Sequence, residues 1–274
     1  MKSRRIWRKH YALPAEHGAW IWWIGPLLIG VAAGGEPGPK FGVLGLTALF
    51  AFMLRQPATL AVKAMSGRRT REELRPALIW STLYAGLTAL GVALLVRSGE
   101  GRLLLLAIPG ALIFAWYLRL VSRSQERQQP GVEIFGAGAL ALTAPAAYWV
   151  SGGGSDLEAW LLWGLTWLQS AASIVHVHLQ LEQRHLEQIP EMGARLRLGR
   201  RSLLYNGFNQ GMSLVLALAG WVPTLVPFAF AITFLDAVDG IIRPAVGARA
   251  RRIGVRQILI SSAFVVVMVL AYLP

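Results

Sequence analysis

Cysteine is absent from this 274-residue chain, and acidic residues are scarce, with 14 Asp and Glu against 27 Lys and Arg. The missing cysteine excludes a disulfide scaffold, a thiolate zinc site, an iron–sulfur centre and thiol catalysis. Charged residues make up only 15% of the chain, well below the roughly one quarter usual in soluble domains. The 55% of hydrophobic residues excludes disorder, because so much apolar surface must be buried. Also lacking are the period-2 alternation that a membrane barrel needs, internal repeats and low-complexity tracts. The net charge of +13 would suggest nucleic acid in a polar chain, so it is first tested against membrane topology.

Long apolar runs are what the chain does have. A helix crosses the hydrocarbon core with roughly 20 apolar residues, and nine runs qualify: 18–34, 41–61, 77–96, 103–121, 132–150, 157–179, 203–220, 222–241 and 257–273. Short loops rich in Gly and Pro separate several of them, such as Glu36-Pro37-Gly38-Pro39 and Ser151-Gly152-Gly153-Gly154. The expectation is an all-α integral membrane protein, a single domain over 1–274 with nine transmembrane helices. Residues 1–34 have the basic start and small-residue end of a signal peptide. The long leader and its Glu16 and His17 instead make this segment the first helix.

With the N-terminus inside, every Lys and Arg except Lys40, Arg97 and Arg102 falls on the inner side. That partition is what positive-inside sorting produces. The basic balance therefore reports topology with a cytoplasmic N-terminus, implies no nucleic acid partner, and gives the inner face an affinity for anionic headgroups. Eleven tryptophans, many near span ends, read as interfacial belt or packing.

Ionisable groups inside spans are costly and tend to face the bundle interior or water. Four places toward the inner side stand out. Glu16 and His17 open the first span beside Gly18. Arg55, Thr59 and Lys63 lie at i, i+4 and i+8 around Pro57, on one face if the helix continues. His178, Glu182 and His185 share a face at i, i+4 and i+7 near the end of the sixth span, while His176 points elsewhere. That face suits proton transfer near neutral pH or a divalent metal, or it is a polar helix end emerging into water. Asp236 and Asp239 share a face in the eighth span with Arg243 following, and either carry a proton or metal or neutralise arginines of neighbouring helices.

Several segments resemble the UbiA superfamily of intramembrane prenyltransferases. These are Leu13-Pro14 through Gly25-Pro26-Leu27-Leu28-Ile29-Gly30, Glu133-Ile134-Phe135-Gly136, and Gly193-Ala194-Arg195-Leu196-Arg197-Leu198-Gly199-Arg200-Arg201. Glu16-His17-Gly18-Ala19-Trp20 resembles the YwiC-like family of bacterial membrane proteins. The resemblance implies a UbiA-like bundle in the bacterial inner (cytoplasmic) membrane, with a cavity open to the cytoplasmic leaflet. It also implies two aspartate motifs holding Mg²⁺ against a prenyl diphosphate. Here the first motif falls on Arg55-Gln56-Pro57-Ala58-Thr59, which has no carboxylate, and the second falls near Glu182 to Leu186, where Glu182 has His178 and His185 beside it. The cofactor is therefore left open.

The expected function is a UbiA-like transferase acting on an anionic isoprenoid or related lipid through a non-standard site. His178, Glu182, Asp236 and Asp239 would be catalytic. Glu16, His17, Arg55, Lys63, His176 and His185 would bind ligand. The alternatives are an isoprenoid- or quinone-binding protein without catalysis and, against the missing repeats, a small-solute transporter.

Overall fold

The computed structural model describes residues 9–13, 20–124 and 131–273. Glu16 and His17 lie outside these. Among the described residues every regular element is a helix: α1 (Lys9–Ala12), α2 (Ile21–Gly34), α3 (Pro39–Met65), α4 (Leu74–Arg97), α5 (Leu104–Ser122), α6 (Gly131–Ala141), α7 (Thr143–Val150), α8 (Asp156–Gln183), α9 (Met192–Leu218), α10 (Val226–Ile242) and α11 (Ala250–Tyr272). Five helical stretches are long and apolar enough to cross a membrane: Pro39–Met65, Arg71–Arg97, Gly101–Ser122, Gly131–Val150 and Ala250–Tyr272.

Helices α6 and α7 together occupy one apolar run, and their break has a local cause. Pro145 has no N–H for the carbonyl of Ala141, and its ring crowds that group; α6 ends at Ala141. The chain tightens there, with Leu142 N donating to Ala139 O rather than to Gly138 O. Trp163 Nε1 donates to the Gly138 carbonyl instead, at 3.0 Å, and Trp167 Nε1 donates to Ile134 O at 2.8 Å. These two half-buried tryptophans fasten α8 to α6, so they serve packing. Pro57, by contrast, leaves α3 continuous to Met65.

Several helices outrun the apolar stretches that mark them. α9 begins at Met192 rather than near 203, and α11 at Ala250 rather than 257. The added turns are rich in Arg, with Leu as well in α9, and both favour helix as strongly as any residue but Ala. At the start of α8, Ser155 accepts a hydrogen bond from Glu158 N at 3.3 Å, the arrangement expected of Ser-x-x-Glu.

α2 packs on α6, α7, α8 and α11, and its Trp23 ring meets Phe52 of α3. Gly30 and Gly34, spaced four apart, let it meet α7 backbone to backbone. A Cβ on Gly30 would lie 2.1 Å from Ala144 O, and one on Gly34 would lie 2.4 Å from Tyr148 O. Thr143 Oγ1 donates to Trp23 O at 3.0 Å across the same contact. Small residues are the usual means of close helix approach in membranes.

Short connections make neighbouring helices antiparallel. The ends of α3, α5, α8 and α10 therefore gather with the starts of α4, α6, α9 and α11 at one end, which carries the arginine-rich loops. Cross-contacts bear this out: Arg68 Nη1 donates to Val121 O at 2.6 Å, and Arg195 Nη1 to Ile242 O at 2.8 Å. At the opposite end, Lys40 pairs with Glu100 at 2.7 Å and Arg102 with Asp156 at 3.7 Å. Two of the three cations that depart from the charge partition thus have acidic partners there.

The α2–α7 contact predicts a sharp contrast between glycines. Gly30→Ala should destabilise the detergent-purified protein by about 1–3 kcal/mol, the usual cost of overpacking. Gly42→Ala, with nothing within 4 Å of its added carbon, should leave the thermal midpoint unchanged or slightly raised. Thermal unfolding of both variants checks this.

Candidate functional site

Helix α8 turns two different faces to its surroundings near its basic end. His176, Gln180 and Gln183 point inward and are buried, while His178 and Glu182 are exposed. The inward face extends a longer pattern: Gln169, Ser173, His176, Gln180 and Gln183 are all buried at steps of four and three, so they form one stripe. α9 answers with buried Ser202, Asn206, Asn209 and Ser213, spaced the same way.

Buried charge is concentrated where this stripe meets α10 and α11. Arg256 Nε donates to Asp236 Oδ1 at 2.7 Å, and its Nη2 donates to Asp239 Oδ2 at 2.7 Å. The Asp236 side chain is only 4% exposed, whereas Asp239 and Arg256 are 37% and 38% exposed and form the rim. His176 Nε2 lies 3.4 Å from Asp236 Oδ2. It also accepts from Gln180 Nε2 at 2.9 Å, which places the ring proton on Nδ1, 2.9 Å from Ser202 Oγ. Gly240 makes room for the ring, since a Cβ there would lie 2.5 Å from His176 Cε1. Ser202, His176 and Asp236 contain the residue types of a nucleophilic triad. Ser202, however, is 1% exposed and no substrate reaches it.

The stripe continues away from the basic end. Gln257 Nε2 donates to Ser173 Oγ at 2.6 Å and to Ser261 Oγ at 3.2 Å. Beyond these, Thr166, Gln169, Ser170 and Ser261 line a cavity of about 10 Å³, room for one water at most. One turn past Gln180, Gln183 Nε2 donates to Gly240 O at 3.2 Å and its Oε1 accepts from Ala245 N at 3.2 Å.

The second polar group is open. His178 Nε2 lies 3.6 Å from Glu133 Oε2 on α6, with the side chains 57% and 55% exposed. His178 Nδ1 is 2.9 Å from Ile174 O; a carbonyl only accepts, so Nδ1 carries the proton and Nε2 keeps its lone pair. On α3, the Arg55 guanidinium lies over the Tyr117 ring of α5, 5.3 Å from its centroid. Thr59 Oγ1 donates to Arg55 O at 2.7 Å and lies 3.4 Å from Tyr117 OH. Because α3 is continuous, Arg55, Thr59 and Lys63 share a face. The contacts α3–α5, α5–α6 and α6–α8 make these residues successive parts of one wall at the basic end.

The sequence-derived candidates thus divide. His176, Asp236 and Asp239 come together in the buried group. His178 and Glu182 lie on the opposite, exposed face of α8, and His185 follows its end, also exposed. Arg256, Glu133, Tyr117, Gln180 and Ser202 were not anticipated. The regular polar stripe on α8 was the available signal for Gln180, whereas Arg256 stands among Arg249, Arg251 and Arg252 with nothing in the sequence to distinguish it.

A magnesium clamp needs several carboxylate oxygens directed at one point. Among the described residues no three His, Asp or Glu side chains are grouped to hold a metal ion, and the carboxylates of Asp236 and Asp239 are already bridged by Arg256. The donor set does not fit the metal that a UbiA-like bundle implies.

Residues 13–148 match the YwiC-like protein family. No curated relative matches the chain. A solved structure described as giving structural and mechanistic insights into the biosynthesis of digeranylgeranylglyceryl phosphate synthase in membranes, a UbiA-type prenyltransferase, superposes with a TM-score of 0.63. The alignment covers 99% of each chain at 10% identity. The fold is therefore that of a UbiA-type membrane protein, and the chain is a multi-pass membrane protein.

The Arg256 bridge predicts a non-additive result. Arg256→Leu should cost roughly 3 kcal/mol, the low end for removing one partner of a buried pair, because the guanidinium is 38% exposed. Adding Asp236→Asn and Asp239→Asn should recover most of that loss. Chemical or thermal unfolding of the single and triple variants reads the difference.

Proposed function

From a chain that is YwiC-like over residues 13–148 and shares its whole fold with a membrane prenyltransferase, we infer a nine-span intramembrane transferase. Its ligand is an anionic isoprenoid or related lipid, and its site works without a carboxylate-bound metal. The N-terminus lies on the cytoplasmic side of a bacterial inner membrane, and the basic end faces the cytoplasm.

One observation carries the reading: a cation, Arg55, stands over Tyr117 at the place where the UbiA pattern has its first aspartate motif. A guanidinium meets a phosphate group through paired hydrogen bonds and balances its charge directly. Lys63, two turns along the same face, adds a second positive charge. A diphosphate headgroup would lie against this face, with its chain toward the hydrocarbon core.

His178 supplies the other half of the chemistry. Its Nε2 lone pair is available, and Glu133 at 3.6 Å steadies the imidazolium formed when it takes a proton. In the transfer, the acceptor bonds to C1 of the allylic chain and the C1–O bond breaks. Diphosphate departs toward Arg55 and Lys63, and the acceptor's proton passes to His178 Nε2. Glu182, on the same exposed face, is placed to receive that proton next. Asp236 and Asp239, engaged by Arg256, hold the neighbouring helices instead. The absence of a metal-binding group among the described residues also favours a second reading, in which the same face binds such a lipid without turning it over.

Thermal stability of the purified protein tests the proposal, because a ligand that binds only the folded state raises the midpoint. Geranylgeranyl diphosphate should raise it equally in EDTA and in Mg²⁺. Arg55→Ala should weaken that binding about tenfold or more, at about 1.4 kcal/mol per factor of ten. His178→Ala should retain binding and lose transfer. A shift that requires Mg²⁺, or none with any prenyl diphosphate, contradicts the proposal; wild-type binding with no product under any acceptor supports the second reading.

A further inference from the structure

The buried group between α8, α10 and α11 takes no part in the transfer proposed above, and its charges are unevenly shared. Two carboxylates, Asp236 and Asp239, face one guanidinium, Arg256. Arg243 approaches Asp239 only to 3.7 Å, from a side chain that is 82% exposed. The other groups on His176 are neutral: the Gln180 amide from α8 and the Ser202 hydroxyl from α9. Arg243 thus serves Asp239 at the rim, while the buried Asp236 shares the single guanidinium of Arg256, in a place where a charge short of partners is costly.

The His176 ring can place a positive charge beside Asp236, and it has two exclusive ways of bonding. When neutral, Nε2 accepts from the Gln180 amide at 2.9 Å and Nδ1–H faces Ser202. When protonated, Nε2 becomes a donor and can no longer accept from an amide N–H. Its acceptor is then Asp236 Oδ2, already 3.4 Å away, and the Gln180 amide must turn. Asp239 and Arg256, each more than one third exposed, give a proton an approach from the basic end. In the other direction the stripe ends at the small cavity by Gln169 and Ser261.

We propose that His176, with Asp236 and Gln180, forms a proton-binding site open to the basic end of the bundle, where loading exchanges Gln180 for Asp236 as the partner of Nε2. The exchange takes place inside a joint. Gln183 on the same face of α8 holds Gly240 O and Ala245 N, so the proton is bound where α8 fastens α10 and the turn into α11. The site requires no lipid ligand and stands apart from the transfer chemistry.

Nitrogen NMR of ¹⁵N-histidine-labelled protein in nanodiscs tests this, with His176→Gln assigning the signal. The ring should be a neutral Nδ1–H tautomer at about pH 8 and cationic at about pH 5, the range in which histidine changes charge. Asp236→Asn should move the transition to lower pH by about one unit or more, because it removes the carboxylate favouring the cation. Gln180→Leu should move it to higher pH, because it removes the amide that favours the neutral ring. The same transition in wild type and both variants, or a ring that stays neutral to pH 5 in all three, would overturn the proposal. If Asp236→Asn fails to fold, the upward shift in Gln180→Leu decides by its sign alone.

Discussion

One guanidinium set between two carboxylates fixes the basic end of this bundle. Water would stabilise Asp236 and Asp239 separately, but inside a membrane domain they need a partner held in place. Arg256 provides it from the first turns of α11, so α10 and α11 must converge there. His176 then brings α8 to the same point, and Gly240 is a glycine because the ring occupies the space of its side chain. These polar contacts add direction to the apolar packing of the same helices, in which Phe230 of α10 meets Phe264 of α11, since apolar packing alone discriminates weakly among helices already surrounded by lipid.

The same helix that completes this joint also presents the open site. Residues two apart on a helix are separated by about 200°, given roughly 3.6 residues per turn. His176 and His178 are consequently committed to opposite surroundings, one closed by Gln180, Ser202 and Asp236, the other open toward Glu133. The contacts of α8 with α9, α10 and α11 hold the helix that carries the exposed imidazole. On the α3 side, Thr59 and Tyr117 perform the corresponding service for Arg55.

Much of the fold was legible in the residues. All nine apolar runs contain a helix, with α6 and α7 sharing one, because hydropathy over a span reports the burial that a bilayer demands. The ends were less legible: Arg-rich turns continue α9 and α11 beyond their apolar parts, and hydropathy is blind to helix made of Arg and Leu. The two prolines inside apolar runs also behave differently, as the helix breaks before Pro145 and continues through Pro57. At the Pro145 break, Trp163 donates to the carbonyl of Gly138 that the chain leaves unpaired. Within the site, the shared face of Asp236 and Asp239 and the divergence of His176 from His178 followed from helical spacing. Arg256 did not, since a cation at a helix start among other arginines looks like any positive residue of an inner loop.

In the proposed function Arg55 meets the lipid phosphate where the UbiA pattern has its first aspartate motif, while Arg256 bridges Asp236 and Asp239. A crystal structure with a bound prenyl diphosphate, grown in Mg²⁺, tests both halves at once. The account predicts the diphosphate within hydrogen-bond distance of Arg55, no metal at Asp236 or Asp239, and Arg256 still between them. A magnesium ion joining the diphosphate to Asp236 and Asp239, with Arg256 displaced, would contradict it.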